Sequence, residues 1–155
     1  MIFTRLISNV NGSDDEVNSK KGETKLFFES KVKEDIFAEA DKERLTQVIY
    51  NLLDNAFTLT KGHGESIQIT LEKQEQQGVH HAIISIIETG TGIDPEILPR
   101  LFSKFVTKSQ KGTGIGLYIS KNIVEAHGGR LYANNNLNDR GATITITIPL
   151  FRGLK

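Results

Sequence analysis

The sequence predicts a two-layer α+β sandwich, with a mixed, mostly antiparallel sheet and its helices on one face. Two stretches place apolar residues at helical spacing, and several short segments are apolar or alternating at strand length. The elements follow one another as ββα, ββ, α, loop, α, ββ, which segregates helices from strands rather than alternating them strictly. At 155 residues the chain suits one domain that buries roughly two-thirds of its unfolded surface.

Each element has its own signal. Residues 1–24 are expected to form a short N-terminal segment or linker, polar from Asn11 onward, and residues 25–152 the folded domain. Lys25-Leu-Phe-Phe-Glu-Ser-Lys-Val32 and Ile36-Phe-Ala-Glu-Ala40 predict two strands in a hairpin around Lys33-Glu-Asp35. Asp41 is an N-cap type, and the stripe Leu45, Val48/Ile49, Leu52 and Ala56 predicts a helix to about Leu59. Ser66–Leu71 and His81–Ile87 predict strands joined through a polar, flexible stretch, Glu72 to Val79. Asp94-Pro-Glu-Ile-Leu-Pro-Arg reads as a short helix start, with Pro95 in its favoured first turn. Phe105 to Gly112 lacks periodicity and predicts a mobile loop. A helix over Tyr118–Ala126 and closing strands Arg130–Ala133 and Ala142–Ile148 complete the order.

Composition excludes several classes of function. Nineteen basic and nineteen acidic side chains cancel, so global charge predicts neither nucleic-acid nor membrane contact, and neither is expected of this chain. There is no cysteine, and His63, His80, His81 and His127 show no metal-ligand spacing. No apolar run approaches the ~18 residues of a membrane span, so a soluble, cytoplasmic domain is expected, if need be the cytosolic part of a longer sensor.

Three segments carry chemistry. Gly112-Thr-Gly-Ile-Gly-Leu117 opens the second helix, and residues 97–124 hold Arg100, Lys104, Lys108, Lys111 and Lys121 without one Asp or Glu. Close-spaced glycines, a helix N-terminus and an unopposed positive field suit a polyphosphate. The spacing matches neither a Walker loop nor the dinucleotide fingerprint. On the long helix, Arg44, Gln47, Asn51, Asn55 and Thr58 share a second face. Asn51 and Asn55 interrupt an apolar run, and an amide oxygen can ligate Mg²⁺. Finally, Glu88-Thr-Gly-Thr-Gly-Ile93 ends an apolar strand; its acid can accept a hydrogen bond from an exocyclic amine, and Gly90 and Gly92 admit a flat ring.

Taken together these segments resemble the catalytic ATP-binding domain of sensor histidine kinases, in the GHKL superfamily. Asn51-Leu-Leu-Asp-Asn55-Ala resembles the N box, and Glu88-Thr-Gly-Thr-Gly-Ile93 the first glycine box. Leu101-Phe-Ser-Lys-Phe105 is similar to the F box, and Gly112–Leu117 to the second glycine box. Glu125-Ala-His-Gly-Gly129 and Gly141–Pro149 resemble the same domain, so the likeness covers roughly residues 25–150.

The resemblance implies a Bergerat fold with ATP held between the long helix and a lid at about 105–114. It gives Mg²⁺ to Asn55, with Asn51 supporting it, and adenine reading to Glu88, with Thr143 assisting through water. Gly90, Gly92 and Ile93 would line the base, and Lys104, Lys108 and Lys111 would pair with phosphates. Gly112, Thr113, Gly114, Ile115, Gly116 and Leu117 would bind the cofactor, with the backbone amides of Gly114 to Leu117 meeting the triphosphate. Three positions depart from the pattern: Glu88 stands for the usual Asp, Thr58 for a base and Leu59 for an aromatic ring. Relatives that hydrolyse ATP carry a Glu where this chain has Asn51, so the resemblance implies transfer to histidine rather than hydrolysis. The acceptor histidine is expected on a dimerisation domain outside these residues, in cis or in trans, with a response regulator downstream. The alternative is a catalytically weak nucleotide-binding adaptor of the same fold.

Overall fold

The computed structural model describes residues 24–60, 66–104, 115–137 and 140–151. Its elements are β1 (Lys25–Ser30), α1 (Lys42–Thr60), β2 (Ser66–Gln76), β3 (Val79–Glu88), a single 3₁₀ turn (Leu98–Arg100), α2 (Gly116–Ala126), β4 (Arg130–Asn135) and β5 (Ala142–Pro149). The five strands form one sheet in the order β1-β2-β3-β5-β4. Only the β1–β2 pair is parallel.

Side-chain alternation builds the core. Ile67, Ile69 and Leu71 of β2, Ala82, Ile84 and Ile86 of β3, and Ile144, Ile146 and Ile148 of β5 all turn to the helices. They meet the predicted stripe of α1, where Leu45, Val48, Ile49, Leu52, Leu53 and Ala56 are buried, and Ile123 and Val124 of α2. β-branched residues dominate these strands, as a pleated surface packed on one face favours. Truncating the fully buried Leu52 to Ala would cost about 2–5 kcal/mol.

Asp41 caps α1 as expected: its Oδ1 accepts the N–H groups of Glu43 and Arg44 at 3.1 and 3.2 Å. The expected hairpin of residues 25–40 does not form. β1 instead pairs with β2, register Lys25↔Ser66, and α1 makes the crossover that a parallel pair requires. Of the expected second strand only Phe37 is bridged, its carbonyl accepting the Phe151 N–H at 2.8 Å. The polar stretch after Leu71 is not a loose connection either. β2 and β3 run on to a two-residue turn in which Gln77 and Gly78 both have positive φ, the turn that matches strand twist. The helix expected from Asp94 shrinks to the 3₁₀ turn, because Pro99 has no N–H with which to continue it.

Candidate functional site

Four elements converge at the end of the sheet where β3 finishes. On α1, Asn51, Asn55 and Leu59 are one turn apart and share a face. Asn51 Nδ2 donates to Ser120 Oγ of α2 at 3.3 Å, and a Cβ on Gly116 would stand 4.0 Å from Asn51 Cγ. One turn beyond Asn55, the Leu59 carbonyl accepts the Thr91 N–H at 3.3 Å. Asn55 therefore lies between the start of α2 and the glycine turn after β3.

That turn is bound on every side. Thr89 Oγ1 accepts the Ser66 N–H at 2.9 Å, fixing the turn to β2. A Cβ at Gly90 would collide with the Leu59 carbonyl oxygen at 2.1 Å, so only glycine lets strand end and helix end approach this closely. Ile93 N–H donates to Asn135 Oδ1, and Asn135 Nδ2 donates back to Ile93 O, both at 2.8 Å. Ile93 packs with Leu101 and Ala142, and Leu59, Phe102 and Leu117 close over them as a small apolar cluster.

Glu88 is 2 % exposed on the floor of this region. Its longer arm adapts by folding back, so that Oε2 accepts the Gly90 N–H. Burial of a carboxylate at a strand end is costly unless hydrogen bonds serve it, which marks the position as built for an acceptor. Among the described residues the Asn55 Nδ2 is buried with no hydrogen-bond partner. A buried amide left so costs about 1–3 kcal/mol, and a ligand that engages the amide recovers it. The orphaned Nδ2 is a donor that suits an acceptor such as a phosphate oxygen, the oxygen of the same amide is of the type that ligates Mg²⁺, and the buried carboxylate and glycine turn suit a base.

Lys104 is exposed, and its Nζ sits 5.0 Å from the centroid of the Tyr118 ring in the first turn of α2. Ile115, Gly116 and Leu117 are half-buried at that helix start. Lys108, Lys111, Gly112, Thr113 and Gly114, and with them the expected lid, lie outside the described residues.

Thr143 is not brought into this group. It pairs with Ile87, so its side chain leaves the sheet on the face opposite Glu88, and its hydroxyl donates to Asn136 Oδ1 at 2.8 Å. The buried neighbour on the Glu88 face is Ala142, which has no hydroxyl to assist a base. Of the departures, Thr58 is exposed and returns its hydroxyl to the Asp54 carbonyl at 2.9 Å, while Leu59 supplies aliphatic wall. Sequence reasoning missed Asn135 and Asn136; the one local signal is a run of three asparagines where β4 ends.

A family model described as "Histidine kinase-, DNA gyrase B-, and HSP90-like ATPase" matches residues 40–152. The chain belongs to that family. It is 40% identical over 115 residues to the sensor protein SrrB of Staphylococcus aureus (strain NCTC 8325 / PS 47), an alignment covering 70% of this chain and 19% of SrrB. The chain thus spans about a fifth of the length of the curated relatives it matches. A nucleotide-free catalytic domain of the histidine kinase ThkA superposes with a TM-score of 0.80 at 32% identity, covering 96% of this chain and 93% of that one. The histidine kinase ThkA in complex with the response regulator protein TrrA matches at 0.77 and 28% identity, over 97% of this chain and 41% of that one. The five-stranded sheet with helices on one face is the α+β sandwich of histidine kinase ATPase domains. No described helix is long and apolar enough to cross a membrane.

Proposed function

We propose that this chain is the ATP-binding catalytic domain of a two-component sensor histidine kinase, and that it transfers the γ-phosphate of ATP to a histidine on a separate dimerisation domain. The observation that carries this is the buried, unpartnered Nδ2 of Asn55, on the α1 face between the start of α2 and the glycine turn that follows Glu88.

Each residue has a role in this reading. Glu88 accepts a hydrogen bond from the exocyclic amine of adenine, and Gly90, Gly92 and Ile93 let the ring lie against backbone and apolar wall. Asn55 holds Mg²⁺ through its amide oxygen; Mg²⁺, when bound, neutralises charge on the phosphates. Lys104 adds a cation, held over Tyr118. Asn51 is tied to Ser120 and has no proton-accepting group with which to activate water. An imidazole needs no such base, since its neutral nitrogen already offers a lone pair. That nitrogen forms a bond to γ-phosphorus as the bond to the β,γ-bridging oxygen breaks, and ADP departs with the electron pair.

Residues 105–114 are proposed as the lid over the phosphates and residues 25–152 as the domain. A dimerisation domain bearing the acceptor and a response regulator downstream are the proposed partners. The test is transfer of radiolabel from ATP to a separately supplied dimerisation domain carrying an acceptor histidine. Acid-labile label on that domain, abolished by changing its histidine, supports the kinase.

A second reading, a nucleotide-binding adaptor, draws on Thr58, whose hydroxyl is turned back to its own helix where a cation would reach a phosphate. Tight ATP binding without transfer in the same assay favours it.

A further inference from the structure

Two adjacent asparagines hold both ends of the glycine turn. Asn136 Nδ2 donates to the Glu88 carbonyl at 3.3 Å and to the Arg140 carbonyl at 3.0 Å. Asn135 takes both backbone groups of Ile93, so its side-chain amide behaves as one more peptide in the β4 edge. Both amides are fixed in orientation. Asn136 turns its nitrogen to two carbonyls and its oxygen to the Thr143 hydroxyl, while Asn135 meets an N–H and a C=O that only one orientation serves. The segment so held, Glu88–Ile93, contains the carboxylate, the two glycines and the apolar residue that would meet the base. Gly92 lies so close that an added Cβ would stand 2.9 Å from Asn135 Oδ1. Their partners are 42 and 48 residues distant in sequence, so no local preference of the turn can replace them.

We infer that Asn135 and Asn136 are positioning residues that fix the width and register of the base-binding turn, and that they set affinity for the purine ring rather than for the phosphates. This rests on the reading of the cleft as a nucleotide site. Asn135 acts through Ile93, and Asn136 through the backbone of Glu88. The proposed phosphate contacts come from Asn55, Lys104 and the start of α2, and not from the turn that the two asparagines hold.

The test titrates the full chain and Asn135→Ala with Mg-ATP and, separately, with magnesium tripolyphosphate, which has no base. Loss of two hydrogen bonds is expected to weaken ATP roughly tenfold and to leave tripolyphosphate within about twofold. Asn135→Asp, whose carboxylate faces the Ile93 carbonyl, should be at least as weak toward ATP as the alanine variant. If Asn135→Ala fails to fold, Asn136→Ala, which loses the bond to the Glu88 carbonyl, should weaken ATP with tripolyphosphate spared. Equal weakening of both ligands, or no change in either, overturns the inference. A parent chain that binds tripolyphosphate but not ATP overturns instead the reading of the site on which it rests.

Discussion

His127 Nε2 accepts the backbone N–H of Asp41 at 3.0 Å while its Nδ1 meets the Ile123 carbonyl at 2.7 Å. The amide can only donate, so the proton of the neutral ring resides on Nδ1, and both nitrogens are engaged. The side chain thereby joins the C-terminus of α2 to the cap of α1. Its lone pair is occupied, which argues against His127 as an in-chain phosphate acceptor. His80 and His81 start β3, seven or more residues up the strand from Glu88, roughly 23 Å at ~3.3 Å per residue.

Replacing His127 by Ala should therefore cost stability rather than a phosphorylation site. The Asp41 N–H loses its imidazole acceptor while the Ile123 carbonyl keeps the backbone N–H of residue 127 at 3.3 Å, so the expected cost is about 0.5–1.5 kcal/mol, read as a lower midpoint in urea. Incubation of the parent chain alone with radiolabelled ATP should give no stoichiometric acid-labile label. Stoichiometric label on any of its histidines would contradict the assignment.

Gly90→Ala meets the Leu59 carbonyl oxygen head-on, and backbone cannot swing aside as a side chain can. The turn must open, carrying Glu88 and Ile93 with it. ATP binding should fall by at least tenfold while the circular dichroism of the sheet survives. Gly116→Ala is the control, since its nearest neighbour is 4.0 Å away and the residue already sits in a helix. Its fold should be unperturbed or slightly firmer.

Glu88→Gln removes the charged acceptor yet keeps size, and is expected to weaken ATP by on the order of tenfold or more. Glu88→Asp retracts the carboxylate by one methylene to the length usual in the family the chain resembles. Tighter ATP binding is expected for it in calorimetry. Equal affinity for the parent chain and both variants would mean that the base binds elsewhere.

Two ion pairs at the β1–β2 edge should fail at opposite ends of the pH scale. Lys73 bonds Glu34 at 3.0 Å, and this hydrogen bond, followed by a backbone one and the attraction of the charges, lowers the Glu34 carboxyl below its ordinary value. Its contribution is present above the ordinary glutamate range and is lost as pH falls through the lowered value. Lys31 bonds Glu72 at 3.0 Å, and the hydrogen bond and then the charge raise the ammonium. That contribution is present below the ordinary lysine range and lost as pH rises through the raised value. Both groups are exposed, so the effects are small and shrink with salt. Denaturation midpoints of Glu34→Gln and Lys31→Met should differ from the parent at neutral pH, the first converging with it in acid and the second in strong base.

Much of this was legible because the signal is local. The α1 stripe and the Asp41 cap need only helical spacing, and Asn51 and Asn55 stand out by interrupting it. Glu88 ending a wholly apolar strand is equally visible. What failed depends on partners far along the chain. The pairing of β1 with β2 spans the whole of α1, whereas a hairpin through Lys33–Asp35 is what local pattern suggests. Thr143 and Glu88 each alternate correctly within their own strands, but only the register Ile87↔Thr143 reveals that they leave the sheet on opposite faces. Asn135 and Asn136 are ordinary strand-end residues until the turn they hold is brought to them.

The most direct test of a magnesium–nucleotide site between α1 and the glycine turn is calorimetric titration of ATP into the parent chain and Asn55→Ala, each with and without Mg²⁺. The parent chain should bind ATP more tightly with the ion than without it, and Asn55→Ala should lose that difference while keeping its fold. Identical, magnesium-dependent affinity in both proteins would contradict the assignment of Asn55 and with it the proposed site.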